Sequence, residues 1–280
     1  PMIMPKPDLQ SLTGGYRRIP VLQIGNQIVC DTMLICDALE HLSPEKTLYP
    51  QGQNGLARTV AQWADQQLFP VAMAFNFQPA GAAHVFKDQP PENLKAFVAD
   101  RQAMRGGAPR MHFADAAASY KSYLRRISNM LDGQNFLLGR APSVADFAVY
   151  HPLWFTRNIV SPLANVLDAT PNILAWMDRM AAFGHGQISK SNATESIALC
   201  AESVPASSLF GTDNTFQDEH GIALGSQVTI TADNFGPEPT VGELVAATRT
   251  RYTLRRMDAR TGEVFVHFPR IGFILKKVDA

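Results

Sequence analysis

The reading of this chain turns on one stretch, Arg18-Ile19-Pro20-Val21-Leu22-Gln23-Ile24-Gly25-Asn26-Gln27-Ile28-Val29-Cys30-Asp31-Thr32. Residues 19–24 form a short apolar strand. Gly25-Asn26 is a two-residue hairpin connection, and residues 27–30 return antiparallel. Asp31-Thr32 then opens a helix in which Leu34, Ala38 and Leu42 recur at four-residue spacing, widened by Ile35 and Leu39, until Ser43-Pro44 stops it. A proline at the start of a strand donates nothing to a ladder. If the Ile19–Pro20 bond is cis, the main-chain N–H and C=O of Val21 turn towards a ligand, which could pair with them as an added strand. The helix start offers free N–H groups, a hydroxyl and a positive dipole end for a carboxylate. Asp31 suits an ammonium group, and Arg18 a second carboxylate. These features describe a site for a small zwitterionic peptide with an acidic group at each end. A purely structural reading also exists, with Asp31 or Thr32 as a simple N-cap and Pro20 as a trans edge proline.

Outward from that stretch, residues 1–7 are proline-rich and extended, and residues 12–15 (Leu-Thr-Gly-Gly) form a turn. From about residue 48 to 195 the pattern is helical, with helices expected over 55–74, 92–104, 108–131, 143–155 and 171–183. Ser143 and Asp146 make a Ser-x-x-Asp helix start, and Pro152 should kink the helix that follows. Beyond about residue 200, alternation replaces helical periodicity. Short strands are expected over 228–230, 242–245, 251–257, 264–268 and 271–278, suggesting a small barrel or sandwich. The domains expected are thus 1–47, 48–198 and 199–280.

The 280 residues are 46% hydrophobic and 18% charged, which excludes disorder as the main description. Lys plus Arg balance Asp plus Glu at 25 each, so a chain-wide nucleic-acid binder is disfavoured. Locally, residues 249–277 carry eight basic against two acidic residues, while 200–248 carry seven acidic and no Lys or Arg. That is either a basic face for a polyanion or a solvated face balanced by the acidic stretch. Three cysteines without a Cys-x-x-Cys pair argue against a disulfide framework and a zinc site, and for a reducing compartment. The seven histidines are dispersed, and no metal is expected. No apolar run is long enough for a transmembrane helix, and no signal peptide is visible.

Residues 12–22, then Cys30-Asp31-Thr32, and later residues 136–147 together resemble the cytosolic glutathione S-transferases. The resemblance covers roughly residues 1–195. It implies a partial thioredoxin-like N-terminal part, an all-helical domain and, in this chain, an additional small C-terminal β-barrel of SH3-like or similar type: a multi-domain α+β protein. It also implies a glutathione site. Arg18 matches the family's basic residue, Ile19-Pro20 its hydrophobic–cis-proline step, Val21 its glutathione-pairing main chain, and Asp31 with Thr32 its pair for the γ-glutamyl group. The family's thiol-activating Tyr, Ser or Cys lies on a strand and helix that precede this hairpin. No catalytic residue is therefore assigned. Either the chain is a fragment, or its hairpin leans on another chain or a rearranged sheet. The aromatic and methionine residues Trp63, Phe69, Met73, Phe75 and Phe77 fall on and just past the helix that borders the family's electrophile pocket. The implied activity is conjugation of the glutathione thiol to a small hydrophobic electrophile by a cytoplasmic homodimer. The competing reading is a non-catalytic transferase-fold scaffold whose β domain binds a partner.

Overall fold

The structure is a computed structural model describing residues 3–202, 209–211, 215–217 and 219–278. The chain divides into two compact units. One comprises Pro1–Pro44, Lys95–Ala108 and Ser189–Ala280; the other comprises Glu45–Leu94 and Pro109–Ile188.

The first unit holds all the strands. Its helix α1 (Pro7–Thr13) starts on proline and ends where Gly14 takes φ 82°, the left-handed conformation that glycine adopts without a Cβ penalty. Sequence periodicity does not reveal this helix because it is only two turns long. The hairpin follows as β1 (Val21–Ile24) and β2 (Gln27–Cys30), then α2 (Thr32–Leu42). Later come the C-terminal half of α6 (Pro91–Met104), α10 (Ala193–Glu202) and five strands. These are β3 (Gln227–Ala232), β4 (Thr240–Ala247), β5 (Arg251–Asp258), β6 (Gly262–Pro269) and β7 (Phe273–Lys277), each overlapping its expected span. All seven strands join in one sheet, in the order β1-β2-β6-β5-β4-β3-β7.

The expected closed barrel does not form. Closing it would require β6 to pair with β7. The available edge of β6 is instead taken by β2, in parallel register with Gln27 opposite Phe265 and Val29 opposite His267. The hairpin thus finds within its own chain a partner that its sequence does not reveal. A two-stranded hairpin is marginal by itself, and this pairing makes β2 an interior strand buried at every position. Ile28 and Cys30 face a core with Leu254, Val266 and Phe268. Val29 faces the other way, against Leu34 and Ile35 of α2.

A buried polar chain stitches the joint. The Gln27 amide nitrogen donates to Asn26 Oδ1 (3.1 Å), so Gln27 Oε1 accepts from His267 Nε2 (2.8 Å). That tautomer leaves His267 Nδ1 to accept from the Thr253 hydroxyl (2.9 Å). Burial, with the Arg251 cation nearby, pushes the His267 imidazole down to about 3.

The second unit is helical. It contains α3 (Asn54–Trp63), a π turn (Ala64–Leu68), α4 (Phe69–Asn76), α5 (Pro79–Val85) and α7 (Phe113–Met130). After these come α8 (Val144–Trp154), a second π turn (Phe155–Ile159), a 3-10 segment (Ser161–Leu167) and α9 (Pro171–Ala181). Pro152 lies inside α8, and the regular helix gives way within three residues to the second π turn, where Thr156 Oγ1 donates to the Pro152 carbonyl (3.1 Å). The core gathers around Trp176, Tyr120, Leu124 and Ile173, all fully buried. The expected Ser143–Asp146 helix start is present and fully buried. Asp146 Oδ2 accepts from Ser143 N (2.9 Å) and Ser143 Oγ (3.0 Å). Its Oδ1 accepts from Leu137 N (2.8 Å) and Trp176 Nε1 (3.0 Å).

Two outcomes follow from these networks. Asp146→Ala strands four buried donors and should lower the unfolding free energy by about 3 kcal/mol or more in urea titration. His267 has a depressed folded pKa, so its stabilisation is complete above the unfolded value near 6.5 and is lost as pH falls towards 3. At pH 5 the loss should reach roughly 2 kcal/mol, visible as a lower thermal midpoint, and the His267→Gln variant should show a flatter pH dependence in that window.

Candidate functional site

Hydrogen-bond alternation sets the direction of Val21. Gly25 takes φ 58° at the first position of the two-residue turn, where a II′ hairpin places glycine. The carbonyl of Asn26 accepts from Phe265 N (3.0 Å), so it faces β6. Successive residues alternate, which turns the polar groups of Gln27 and Val29 towards β1. Their partners Ile24 and Leu22 are then the hydrogen-bonded pairs of the hairpin. Val21 opposite Cys30 is a non-hydrogen-bonded pair, so its N–H and C=O point to the open edge of the sheet. Among the described residues no strand lies along that edge. The Ile19–Pro20 bond is cis.

Asp31 caps α2 with φ 73° and ψ 135°, the only positive φ at a non-glycine position among the described residues. This is a region that residues with a Cβ enter at a cost of about 1–3 kcal/mol, and such outliers cluster at ligand sites. Its Oδ1 accepts from Met33 N (3.1 Å), and its Oδ2 from Arg18 Nη2 (3.3 Å). Thr32, the first helical residue, is exposed. The two-ended arrangement drawn from sequence, with Arg18 at one carboxylate and Asp31 at the opposite end, is thus drawn together: the two side chains meet. Ile19 stands in solvent, 66% exposed.

Two residues at this corner are not picked out by sequence. The Arg18 guanidinium lies 5.3 Å from the ring centroids of both Tyr16 and Phe273. Tyr16 is buried against Phe268 and Phe273. Burial, reinforced by the Asp31 carboxylate, pushes its phenol far above its usual range, so it stays protonated. Burial does the same to the Cys30 thiol, again reinforced by Asp31. Cys30 and Cys200 are core thiols, and Cys36 is half-buried on α2.

The other candidate features are engaged structurally. Trp63 packs on Tyr123, Phe69 on His151, Phe75 on Tyr120 and Phe77 on Phe155, all within the helical unit. Three arginines of the basic C-terminal stretch are paired with carboxylates. Arg255 meets Glu243 and Glu263, Arg260 meets Asp8, and Arg270 meets Glu219 and lies over Tyr252. Asp213 and Asp218 of the acidic stretch lie outside the described residues. Among the described residues no cluster of His, Cys, Asp and Glu could hold a metal, and no helix is long and apolar enough to cross a membrane.

Residues 1–47 match the Glutathione S-transferase N-terminal domain and residues 110–179 the Glutathione S-transferase C-terminal domain. A GST-like protein from Pseudomonas syringae, known from its crystal structure, is 38% identical over 99% of this chain and 88% of its own, with a TM-score of 0.79. The chain belongs to the glutathione S-transferase family. Its thioredoxin-like N-terminal part and helical domain are those of the family, and the C-terminal strands, which lie beyond the two matched domains, complete the hairpin's sheet. Two further solved structures are similar over parts of this chain. A β-etherase, LigF, from Sphingobium sp. is 21% identical over 62% of this chain and 77% of its own, with a TM-score of 0.44. A glutathione S-transferase from Rhodospirillum rubrum is 16% identical over 72% and 78%, with a TM-score of 0.45. No curated protein matches the chain.

The strain at Asp31 gives a test of the site without a ligand. Asp31→Gly relieves a backbone cost of about 1–3 kcal/mol and loses only a few tenths in capping. Its thermal midpoint should therefore equal or exceed that of the parent protein.

Proposed function

We propose that this transferase binds glutathione along the open edge of β1 and conjugates its thiol to a small hydrophobic electrophile. The observation that carries the reading is the outward-facing N–H and C=O of Val21 beside the Asp31-capped start of α2. The cysteinyl main chain pairs with Val21 as a short added strand. Asp31 receives the γ-glutamyl ammonium group, and the Thr32 hydroxyl with the helix N-terminus receives its carboxylate. Pro20 ends the strand next to the ligand, and Ile19 borders it from solvent. Arg18 adds positive potential for the peptide's carboxylates and orients Asp31.

The chemistry is attack of the glutathione thiolate on an electrophilic carbon. A C–S bond forms, and the leaving group departs with its electron pair. A hydrogen-bond donor to the sulfur favours the thiolate. Neither Tyr16 nor Cys30 is assigned that role, since both side chains are buried in the core. Family members typically use glutathione as co-substrate and form dimers, and we extend both properties to this chain. Binding of glutathione without turnover of a generic aryl halide would instead support the non-catalytic scaffold.

Isothermal titration with reduced glutathione tests the site. Val21→Pro removes the outward N–H while leaving the β2 side of the hairpin intact, and proline is tolerated on edge strands. It should weaken binding at least tenfold, about 1.4 kcal/mol. Thr32→Val should weaken it several-fold. Unchanged affinity in Val21→Pro would remove the strand-addition mode.

A further inference from the structure

The added C-terminal strands reach into the corner that holds Asp31. Arg17 and Arg18 are consecutive, and both are anchored on them. Arg17 Nη1 donates to Glu238 Oε1 in the β3–β4 connection (2.8 Å), and its Nη2 pairs with Asp100 at the C-terminal part of α6. The stem of Arg18 lies beside Gly236, where a Cβ would sit in van der Waals contact, 3.6 Å from Arg18 Cγ. Gly236 is itself fixed, its N–H donating to the Met104 carbonyl (2.8 Å). The guanidinium then rests against the adjoining rings of Tyr16 and Phe273, 5.3 Å from each centroid, and reaches Asp31 Oδ2.

The Arg18 and Asp31 side chains are 23% and 21% exposed. A pair at that exposure holds its geometry weakly unless something else restrains it. Here two ring faces supply the restraint, since a guanidinium is attracted to the negative face of an aromatic ring. Phe273 is firmly placed, 8% exposed on β7 and packed on Phe268 at 5.4 Å between centroids.

We propose that Phe273 is a positioning residue for glutathione. Its ring, together with the adjoining ring of Tyr16, holds the Arg18 guanidinium where it orients the Asp31 carboxylate towards the ligand's ammonium group. The inference rests on the glutathione reading of the site. It gives the C-terminal strands a role in substrate affinity, although Phe273 lies more than 200 residues from the hairpin in sequence.

The test is a double-mutant cycle read by glutathione titration of the full chain. Phe273→Leu should weaken glutathione binding about fivefold, the size of one partly exposed cation–π contact. Pentafluorophenylalanine at position 273, which keeps the shape and reverses the ring's charge distribution, should do the same without disturbing the fold. Phe273→Tyr, which keeps the π face, should retain the parent affinity. In an Arg18→Met background the effect of altering Phe273 should vanish. Leu275→Val, on the same inward face of β7, should leave affinity unchanged. The proposal is overturned if pentafluorophenylalanine binds glutathione like the parent, if Phe273 matters equally with and without Arg18, or if Leu275→Val costs as much. A parent protein that fails to bind glutathione overturns the reading of the site and this inference together. A parent that binds while the Phe273 variants are indifferent overturns this inference alone.

Discussion

The parallel pairing of β2 with β6 is the constraint on which the strand-containing unit depends. It converts a hairpin that could not persist alone into the middle of a seven-stranded sheet. It buries β2 on both faces, and it aligns Gln27 with His267 so that one polar chain closes across the joint. It also fixes which backbone groups face inward. Because Asn26 turns its carbonyl to β6, strict alternation along the hairpin leaves Val21 facing out. The outward edge proposed to hold the ligand is thus a geometric consequence of a bond formed with a strand more than 230 residues later.

Charge in this protein is arranged locally. The basic C-terminal stretch resembles a polyanion surface in sequence, yet Arg255, Arg260 and Arg270 each meet a carboxylate, and Arg251 is buried over the Phe210 ring. Arg17 and Arg18 are docked in the same manner, one by carboxylates and the other by rings and a carboxylate. The partly exposed pairs among these contribute little to stability individually, whereas Arg17 and Asp100 are buried together. Their effect is to hold side chains in place, which counts most where Arg18 meets the strained cap at Asp31.

The helical unit follows simpler rules. Its core is built from apolar faces at helical spacing, and a single buried carboxylate, Asp146, ties a loop, a helix start and Trp176 together. The irregularities are two π turns. One takes over the end of α8 soon after Pro152, and the other joins α3 to α4. Periodicity alone would read the latter pair as one continuous helix, since a single widened turn shifts the apolar stripe by only one residue.

By itself, the sequence determined the local structure: the hairpin, the capped helix after Asp31, the Ser143–Asp146 helix start and the five late strands. Each depends on residues within a few positions of one another, such as Gly25 at the turn or Ser143 and Asp146 three apart. The residues proposed for the site, from Arg18 to Thr32, were nominated from the same local patterns. Tertiary structure alone decided how the strands joined, which is why an open sheet stands where a barrel is expected. It alone brought Arg18 onto Asp31 and set Phe273 beneath that arginine. Nothing in local propensity distinguishes a strand edge that pairs with its neighbour from one that pairs with a hairpin at the far end of the chain, because both expose the same row of N–H and C=O groups. The choice rests on which pairing buries Ile28, Val29 and Cys30, and that energy exists only once both ends of the chain are together.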